Sequence, residues 1–218
     1  MTGHCAAFIA VGISLVAGTA YAQPAATPPR LRQTPQLSAF VDIGRAGLAA
    51  DGSTDAVLRR SALTTIGAGG RLVWRSHLYA EARVGWMHAT GERVYEDGGI
   101  RFGLGIPLEI RLVPADVTVG YQFSERRRVR PFLGVGGGAV WYREESKFSA
   151  DDENMHEAFG AYHVTAGADI RVSKWIGIGG AVVIDRVPGA LGRGGVSRDR
   201  GELDLGGTSL HLRATIRP

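Results

Sequence analysis

Charged side chains recur at every second position inside otherwise apolar runs of this chain, as in Glu81-Ala82-Arg83 and Asp169-Ile170-Arg171. In an extended strand alternate residues share a face, so these charges lie on one side of their strands. The planar guanidinium group of arginine suits carboxylates, and buried charges are tolerated only when they are paired. The sequence therefore predicts an interior network of ion pairs, which we favour over a proton or ion pathway. Its members are Asp42, Arg71, Glu81, Arg83, Glu109, Arg111, Asp169, Arg171, Asp185, His211 and Arg213.

Motifs that would indicate catalysis or cofactor binding are weak. The glycine run at 134–138 is similar to a phosphate-binding loop, but such a loop needs a helix after it, and the apolar run continues as a strand. His156, Glu157 and His163 have the residue types of a zinc protease motif without its spacing. The Gly-x-Ser-x-Gly motif of serine hydrolases is missing from the sequence. We therefore predict no catalytic, cofactor-binding or metal-binding residues and no cofactor.

Three charged segments could bind ions or lipid phosphates. The acidic segment 144–159 has the oxygen ligands that Ca²⁺ prefers, but it lacks the EF-hand spacing, so a solvated loop is favoured. Segment 193–204 mixes arginines with acids and is interpreted as a self-paired polar loop rather than a phosphate contact. Residues 126–128 are three arginines, for which solvation is favoured over contact with lipid phosphates.

Eight runs of alternating apolar and polar residues would position the charged network. In the last run, 209–217, even positions are apolar and odd positions are polar, the pattern of a strand with one apolar face. Long polar connections alternate with short turns, which predicts an all-β, eight-stranded antiparallel up-and-down transmembrane β-barrel. The predicted strands are 37–44, 63–74, 78–88, 108–123, 130–143, 162–172, 175–186 and 209–217. The predicted long loops are 46–60, 89–102, 144–159 and 187–204, and the short turns are 75–76, 124–128 and 173–174.

The fourth strand has two interpretations, because its apolar residues change from even to odd positions across Pro114. A one-residue β-bulge at Pro114 would restore the facing of the side chains, and proline is tolerated at a bulge. The alternative is a hairpin at 113–116, which would make nine strands. We favour the bulge.

The N-terminus has the features of an export signal. An apolar segment at 6–17 precedes Ala20-Tyr21-Ala22, which predicts a signal peptide at 1–22 that is cleaved after Ala22. An uncleaved N-terminal anchor is the alternative. Residues 23–36 are rich in proline and alanine and are expected to form a periplasmic lead-in to a barrel domain at 37–218. Cys5 lies in the signal, so the exported chain would have no disulfide.

Composition narrows the class of protein further. The chain of 218 residues is 44% hydrophobic, and its apolar runs are too short for a membrane-spanning helix, as expected of barrel strands. The formal charge of +4 is carried by scattered arginines rather than by a basic patch, so we predict no nucleic-acid partner. Aromatic residues lie near strand ends, as in the two aromatic levels of a membrane protein. The predicted belt residues are Trp74, Trp86, Tyr121, Phe123 and Trp141.

The segments 130–138 (Arg-Pro-Phe-Leu-Gly-Val-Gly-Gly-Gly) and 162–169 (Tyr-His-Val-Thr-Ala-Gly-Ala-Asp) resemble the small outer-membrane β-barrel proteins of Gram-negative bacteria, the OmpX-, OmpW- and OmpA-barrel-like group. The resemblance in layout extends over residues 23–218. It implies an outer-membrane location, contact with outer-membrane lipid and lipopolysaccharide, and insertion by the barrel-assembly machinery. Such proteins usually end in an aromatic residue, whereas this sequence ends in Ile216-Arg217-Pro218.

The leading functional hypothesis is a non-enzymatic outer-membrane barrel that serves envelope integrity or surface interaction through four long extracellular loops, with an unknown extracellular ligand. The alternative, implied by the OmpW resemblance, is a carrier for small hydrophobic molecules with a pocket around Phe40, Tyr79 and Phe132. A lipid-modifying enzyme would need a polar catalytic residue at the membrane edge, for which His88 with Thr90 is the only candidate. A soluble periplasmic β-sandwich is the remaining structural alternative.

Overall fold

The computed structural model describes residues 35–59, 62–97, 100–123, 128–146, 155–191, 201 and 203–218. Within these residues it contains the helix α1 (Asp51–Leu58) and eight strands. The strands are β1 (Gln36–Leu48), β2 (Ala62–Val73), β3 (Leu78–Asp97), β4 (Ile100–Gln122), β5 (Val129–Ser146), β6 (Met155–Arg171), β7 (Ile176–Arg186) and β8 (Gly207–Ile216). The predicted signal at 1–22 and the lead-in up to residue 34 lie outside the described residues, as do residues 124–127, 147–154 and 193–200 of the charged segments.

The eight strands form a closed barrel in which each strand pairs with its sequence neighbours and β8 pairs with β1. At this seam Asp42 lies opposite Arg213 and Gly44 opposite His211, and all eight pairings are antiparallel. A closed wall has no free strand edge, so its backbone polar groups are satisfied without water, as a lipid environment requires. The predicted all-β, eight-stranded antiparallel up-and-down transmembrane barrel is confirmed.

Side chains alternate between the lumen and the outer surface where the strands form the barrel wall. In β8, Ser209, His211 and Arg213 are buried inside, whereas Leu210 and Leu212 are exposed outside. The barrel wall therefore shows apolar side chains to its surroundings and polar ones to its own interior, the reverse of a water-soluble protein and the arrangement expected in lipid. Among the described residues, no helix is both long and apolar enough to cross a membrane.

The two ends of the barrel differ. We call the end with Gln36, Ile216 and the short connections the turn end, and the opposite end the loop end. At the loop end the first connection contains α1, and the second is a continuation of β3 to Asp97 and of β4 from Ile100. The loop predicted at 89–102 is therefore mostly strand.

Residues 92–107 of β3 and β4 form a two-stranded extension of the wall, which we call the arm. Its pairing shifts between Glu92 and Val94, with the additional residues on β4. The Glu92 carboxylate accepts hydrogen bonds from the backbone N–H of Gly105, at 2.6 Å, and from Arg59 at the end of α1, at 3.3 Å. Gly105 has φ of +67°, a conformation that favours glycine. Glu92 thus connects the arm to α1.

The fourth strand passes through Pro114 without interruption. Opposite β3, Val84 pairs with Ala115 and Met87 with Leu112, and β5 pairs with 113–115 in the same unbroken register. Both the predicted bulge and the hairpin at 113–116 are therefore wrong. Leu108 and Leu112 are buried and face the lumen. At this height the lumen is apolar, and the outer face lies beyond the apolar band of the wall. The apolar residues of β4 thus change from the outer to the inner face as the strand leaves the apolar band, while the strand register stays constant.

Three aromatic rings in the lumen lie over glycines on the adjacent strand. Phe40 is opposite Gly69, Tyr79 is opposite Gly120, and Phe132 is opposite Gly167. A Cβ added at these glycines would lie 2.5 Å from the Phe40 ring, 2.6 Å from the Tyr79 ring and 2.6 Å from the Phe132 ring. The same cross-strand pair thus recurs in the strand pairs β1–β2, β3–β4 and β5–β6. Covering an inward glycine with a ring fixes the pairing of the two strands.

We expect Gly69→Ala to destabilise the barrel by about 1–3 kcal/mol, because the new methyl group overlaps the Phe40 ring and the Ala82 carbonyl oxygen. The matched control is Gly70→Ala, on the next residue of the same strand. Its Cβ would face outward, 3.6 Å from the nearest atom, the carbonyl oxygen of Ser38. Urea unfolding in micelles, followed by heat-modifiable gel mobility, measures both variants. Equal effects would show that the ring does not need the space above Gly69.

Candidate functional site

Four charged side chains meet in the lumen near the turn end, and we call them the turn-side cluster. The Glu81 carboxylate accepts hydrogen bonds from Arg71 at 2.7 Å and from Arg213 at 2.8 and 2.9 Å. Arg71 also donates to Asp169 at 2.9 Å. The four residues come from β2, β3, β6 and β8 and are all buried. Two positive and two negative charges therefore neutralise each other across the lumen.

Aromatic rings surround the guanidinium groups of this cluster. The Arg71 guanidinium carbon lies 4.5 Å from the centre of the Tyr79 ring and 4.1 Å from that of Phe132. The Arg213 guanidinium carbon lies 3.7 Å from the centre of the Phe40 ring. These are cation–π distances, and they are strengthened where water is excluded. The space between Phe40, Tyr79 and Phe132, predicted as a carrier pocket, is thus occupied by the protein's own arginines.

A second group of charges, the middle cluster, lies next to the first in the lumen. Asp42 accepts two hydrogen bonds from Arg83, at 2.7 and 2.9 Å, and its Oδ1 lies 3.1 Å from Nδ1 of His211. The other ring nitrogen of His211 is 2.8 Å from the Ser209 hydroxyl. Asp116 lies 3.9 Å from Arg83. The seam between β1 and β8 is therefore held by side chains as well as by backbone pairing.

Toward the loop end the lumen is filled by apolar side chains, which we call the apolar plug. The plug includes Leu58 of α1, and α1 packs so closely on β3 that a Cβ at Gly91 would lie 2.8 Å from a Leu58 methyl group. Its buried members are Leu58, Leu63, Ala89, Leu112, Val140, Tyr142, Phe159, Val187, Ala190 and Leu205. Helix α1, which lies in the connection between β1 and β2, thus closes the loop end of the lumen.

A cavity of about 100 Å³ separates the middle cluster from the apolar plug. Its lining is apolar on one side, with Leu112 and Val187, and polar on the other, with Asp116, His163 and Asp185. His163 is held by a 2.8 Å hydrogen bond between its Nε2 and the Thr118 hydroxyl. The cavity is large enough for a few water molecules and too small for a drug-sized ligand.

The structure brings most of the sequence-predicted network together. Seven predicted members form the two clusters: Asp42, Arg71, Glu81, Arg83, Asp169, His211 and Arg213. Asp185 lines the cavity, and Arg171 is half-buried near the turn end of β6. The structure contradicts the interior assignment of Glu109 and Arg111, which pair with each other on the outer wall with side chains 36% and 37% exposed. That assignment depended on the bulge at Pro114.

Arg130 is a buried interior charge that the predicted network omits. It is buried in β5 directly opposite Asp169 of β6. The signal was available, because Arg130 has the same parity as Phe132, which the alternation assigned to the lumen.

The five predicted belt residues all point outward. Trp74, Tyr121 and Phe123 lie toward the turn end and Trp86 and Trp141 toward the loop end, each between 41% and 58% exposed. Apolar side chains cover the wall between these two levels, among them Val41, Val84, Val117 and Leu212. An apolar band between two aromatic levels is the surface of a protein embedded in a lipid bilayer.

Polar contacts order the described part of the last connection at the loop end. The Asp204 carboxylate accepts hydrogen bonds from the backbone N–H groups of Val187 and Gly206, each at 2.8 Å, and from Arg186 at 3.1 Å. Burial alone would raise the pKa of Asp204, but these donors hold it below its usual value. In the described part of the chain, no group of three or more histidines, cysteines or acids is arranged to bind a metal ion.

Comparison with solved structures matches this geometry to membrane barrels. The structure of Ail, the attachment invasion locus protein of Yersinia pestis, superposes with a TM-score of 0.54 at 11% identity, covering 85% of this chain and 100% of Ail. A major outer membrane protein from Thermus thermophilus gives 0.51 at 12% identity, covering 84% of this chain and 99% of that one. This chain has the fold of the small outer-membrane β-barrels. A scan of protein-family models finds no match, and neither does a search of curated protein sequences.

We expect Glu81→Gln to destabilise this outer-membrane-type barrel by about 3–5 kcal/mol, because two buried arginines lose their shared carboxylate. The matched control is Glu109→Gln, which removes the same charge from the outer wall and should leave the unfolding midpoint unchanged. Urea unfolding in micelles, monitored by tryptophan fluorescence, measures both. A Glu81→Gln barrel as stable as the wild type would mean that the turn-side cluster contributes little.

Proposed function

We propose that the protein is a non-enzymatic outer-membrane barrel that does not transport solutes and acts through the surfaces it presents to the outer leaflet and to the outside. The observation that carries this proposal is the filled lumen. The turn-side cluster, the middle cluster and the apolar plug succeed one another along the barrel axis. An eight-stranded barrel has room for side chains but not for an open channel.

The proposal includes orientation and assembly. Short turns face the periplasm in outer-membrane barrels and long connections face outward, so the loop end would be extracellular. Export would remove residues 1–22 after Ala22, and the barrel-assembly machinery would insert the chain. Lipid and lipopolysaccharide of the outer leaflet would then contact the wall around Trp86 and Trp141.

The arm supports a role in surface interaction. It extends the wall beyond the height at which β5 pairs with β4, and it carries Phe102 and Leu104 with about half of each side chain exposed. Apolar side chains that project into water mark a contact surface when they are grouped. The connection of the arm to α1 through Glu92 and Arg59 would hold this surface in a fixed position.

A carrier for hydrophobic molecules is the alternative function, and the lumen gives it little support. The aromatic side chains that would line its pocket contact Arg71 and Arg213 instead. The cavity of about 100 Å³ lies elsewhere, between charged groups and the apolar plug.

We expect the purified protein in planar lipid bilayers to give no steady conductance, because the two charged clusters and the plug occupy the lumen of an eight-stranded barrel. A general porin inserted under the same conditions serves as the positive control. Uptake of a hydrophobic dye by proteoliposomes should equal that of protein-free liposomes. Regular conductance steps, or saturable dye uptake, would overturn the closed-barrel proposal, and saturable uptake would favour the carrier.

A trimmed variant tests the role of the arm. Replacing residues 92–107 by an Asn-Gly turn joins Gly91 to Leu108, which are already paired, so the barrel should fold and keep its heat-modifiable mobility. The matched control is Leu203→Ser, which removes an exposed apolar side chain from a different connection. In a deletion strain, we expect the control but not the trimmed variant to restore resistance to detergent and to large antibiotics. Equal restoration by both would contradict a role for the arm.

A further inference from the structure

The outer wall at the loop end carries three aligned rows of side chains on β3, β4 and β5. The first row is Trp86, Val113 and Trp141, the second is His88, Arg111 and Arg143, and the third is Thr90, Glu109 and Glu145. Moving away from the apolar band, the wall is therefore aromatic, then basic, then acidic. The basic row lies directly above the aromatic residues that mark the edge of the bilayer.

On this wall, charges of the same sign lie next to each other on neighbouring strands. Arg111 lies directly opposite Arg143, and Glu109 lies directly opposite Glu145. Like charges in cross-strand positions repel each other. If the order of Arg and Glu were reversed on one of the two strands, each arginine would lie opposite an acid. Each arginine binds the acid two residues away on its own strand, and His88 is 2.9 Å from Glu109. Each guanidinium group is thus held by an acid on the side away from the apolar band.

A groove lies at this position. It is lined by Trp86, Val113 and Trp141 from the aromatic row, by Arg111 and Arg143 from the basic row, and by Tyr142, Glu157 and Ala158 beside them. Below it, a shallow trough in the apolar band is lined on its outer face by small residues, among them Ala82, Ala115 and Gly137, with Val84 and Val117 at its sides. The strand register places Ala115 two residues below Val113, so the trough continues the groove toward the membrane interior.

We propose that this groove and trough bind one phosphorylated lipid of the outer leaflet, with its headgroup phosphate between Arg111 and Arg143 and an acyl chain along the small residues. The inference rests on the barrel lying in the outer membrane, as proposed above. Arginine binds phosphate through paired hydrogen bonds, and Trp86 and Trp141 would flank the headgroup at the depth where tryptophan prefers to lie.

The arrangement favours a lipid over a free phosphate ion for two reasons. The arginines are 37% and 50% exposed, so a small ion would compete with water on an open surface. A lipid is already held at this depth by its chains, so phosphate binding needs no further loss of translational freedom. The trough adds contact area that only an acylated ligand can use.

The experiment uses nanodiscs of phosphatidylcholine that contain a small fraction of diphosphoryl lipid A or of its dephosphorylated form. The test variant is R111Q/R143Q, and the matched control is R45Q/R186Q, which removes two exposed arginines from β1 and β7 on the opposite wall. A second pair is A115L, which fills the trough, with A214L on the outer face of β8 as its control. Native mass spectrometry after release from the discs counts the retained lipids.

We expect the wild type and both controls to retain diphosphoryl lipid A about tenfold more than R111Q/R143Q, with a smaller loss in A115L. Dephosphorylated lipid should be retained weakly by every variant. Equal retention by the test and control variants would overturn the proposal, and so would displacement of the lipid by excess inorganic phosphate, which would indicate a general anion site. A changed mass of the retained lipid would indicate catalysis, for which His88 would be the first residue to test.

Heat-modifiable mobility of each variant in the same discs separates this inference from the proposed function. A folded, inserted barrel without selective lipid retention contradicts the lipid site alone. A chain that does not insert into the bilayer contradicts the outer-membrane proposal itself.

Discussion

The Glu81 carboxylate between Arg71 and Arg213 is the interaction on which the rest of the barrel depends. It connects β3 with β2 on one side and with β8 on the other, and Arg71 continues the connection to Asp169 of β6. A slip of one residue in any of these strands would move a charge from the lumen into lipid and an apolar side chain into the lumen. Because a charge facing the bilayer interior costs several kcal/mol, the charged lumen fixes the register more strongly than backbone pairing does.

The lumen glycines follow from the same constraint. Long arginine side chains and aromatic rings must share a lumen that is only one or two side chains wide, so the facing residues on adjacent strands must be small. Gly69, Gly120 and Gly167 supply that space for Phe40, Tyr79 and Phe132, and the rings in turn hold the guanidinium groups. The same packed side chains therefore stabilise the barrel and block its lumen.

Period-two alternation was sufficient to predict the eight strands, the face to which most of their side chains point, seven of the charged side chains that meet in the lumen, and the outward direction of the five aromatic residues. It was not sufficient near Pro114. The prediction assumed that the apolar face always points outward, which holds only within the height of the bilayer. Above it, the side chains of Leu108 and Leu112 are buried on the lumen side, Leu112 as a member of the plug, while Glu109 and Arg111 face outward. A reversal of the apolar face along one strand thus marks the membrane boundary as well as it would mark a bulge.

The partners within the network could not be predicted from sequence, because alternation assigns a residue to a face but gives no distance across the lumen. The pairing of Arg71 with Asp169 joins residues that are far apart in the chain and in strand order. The same limit applies to α1, whose sequence has polar residues that favour a loop and whose helix is stabilised by packing Leu58 into the plug.

Because the interior is filled, the proposed function depends on the outer surface of the wall. Inside, the charges of the turn-side and middle clusters pair with one another, and little room is left for an incoming group. On the outer face, the arginines of neighbouring strands stand side by side, as do the acids, although exchanging one Arg–Glu pair between strands would remove both repulsions. A stability requirement alone favours the alternating arrangement. A lipid phosphate at the height of the basic row, as proposed above, would stabilise the segregated arrangement.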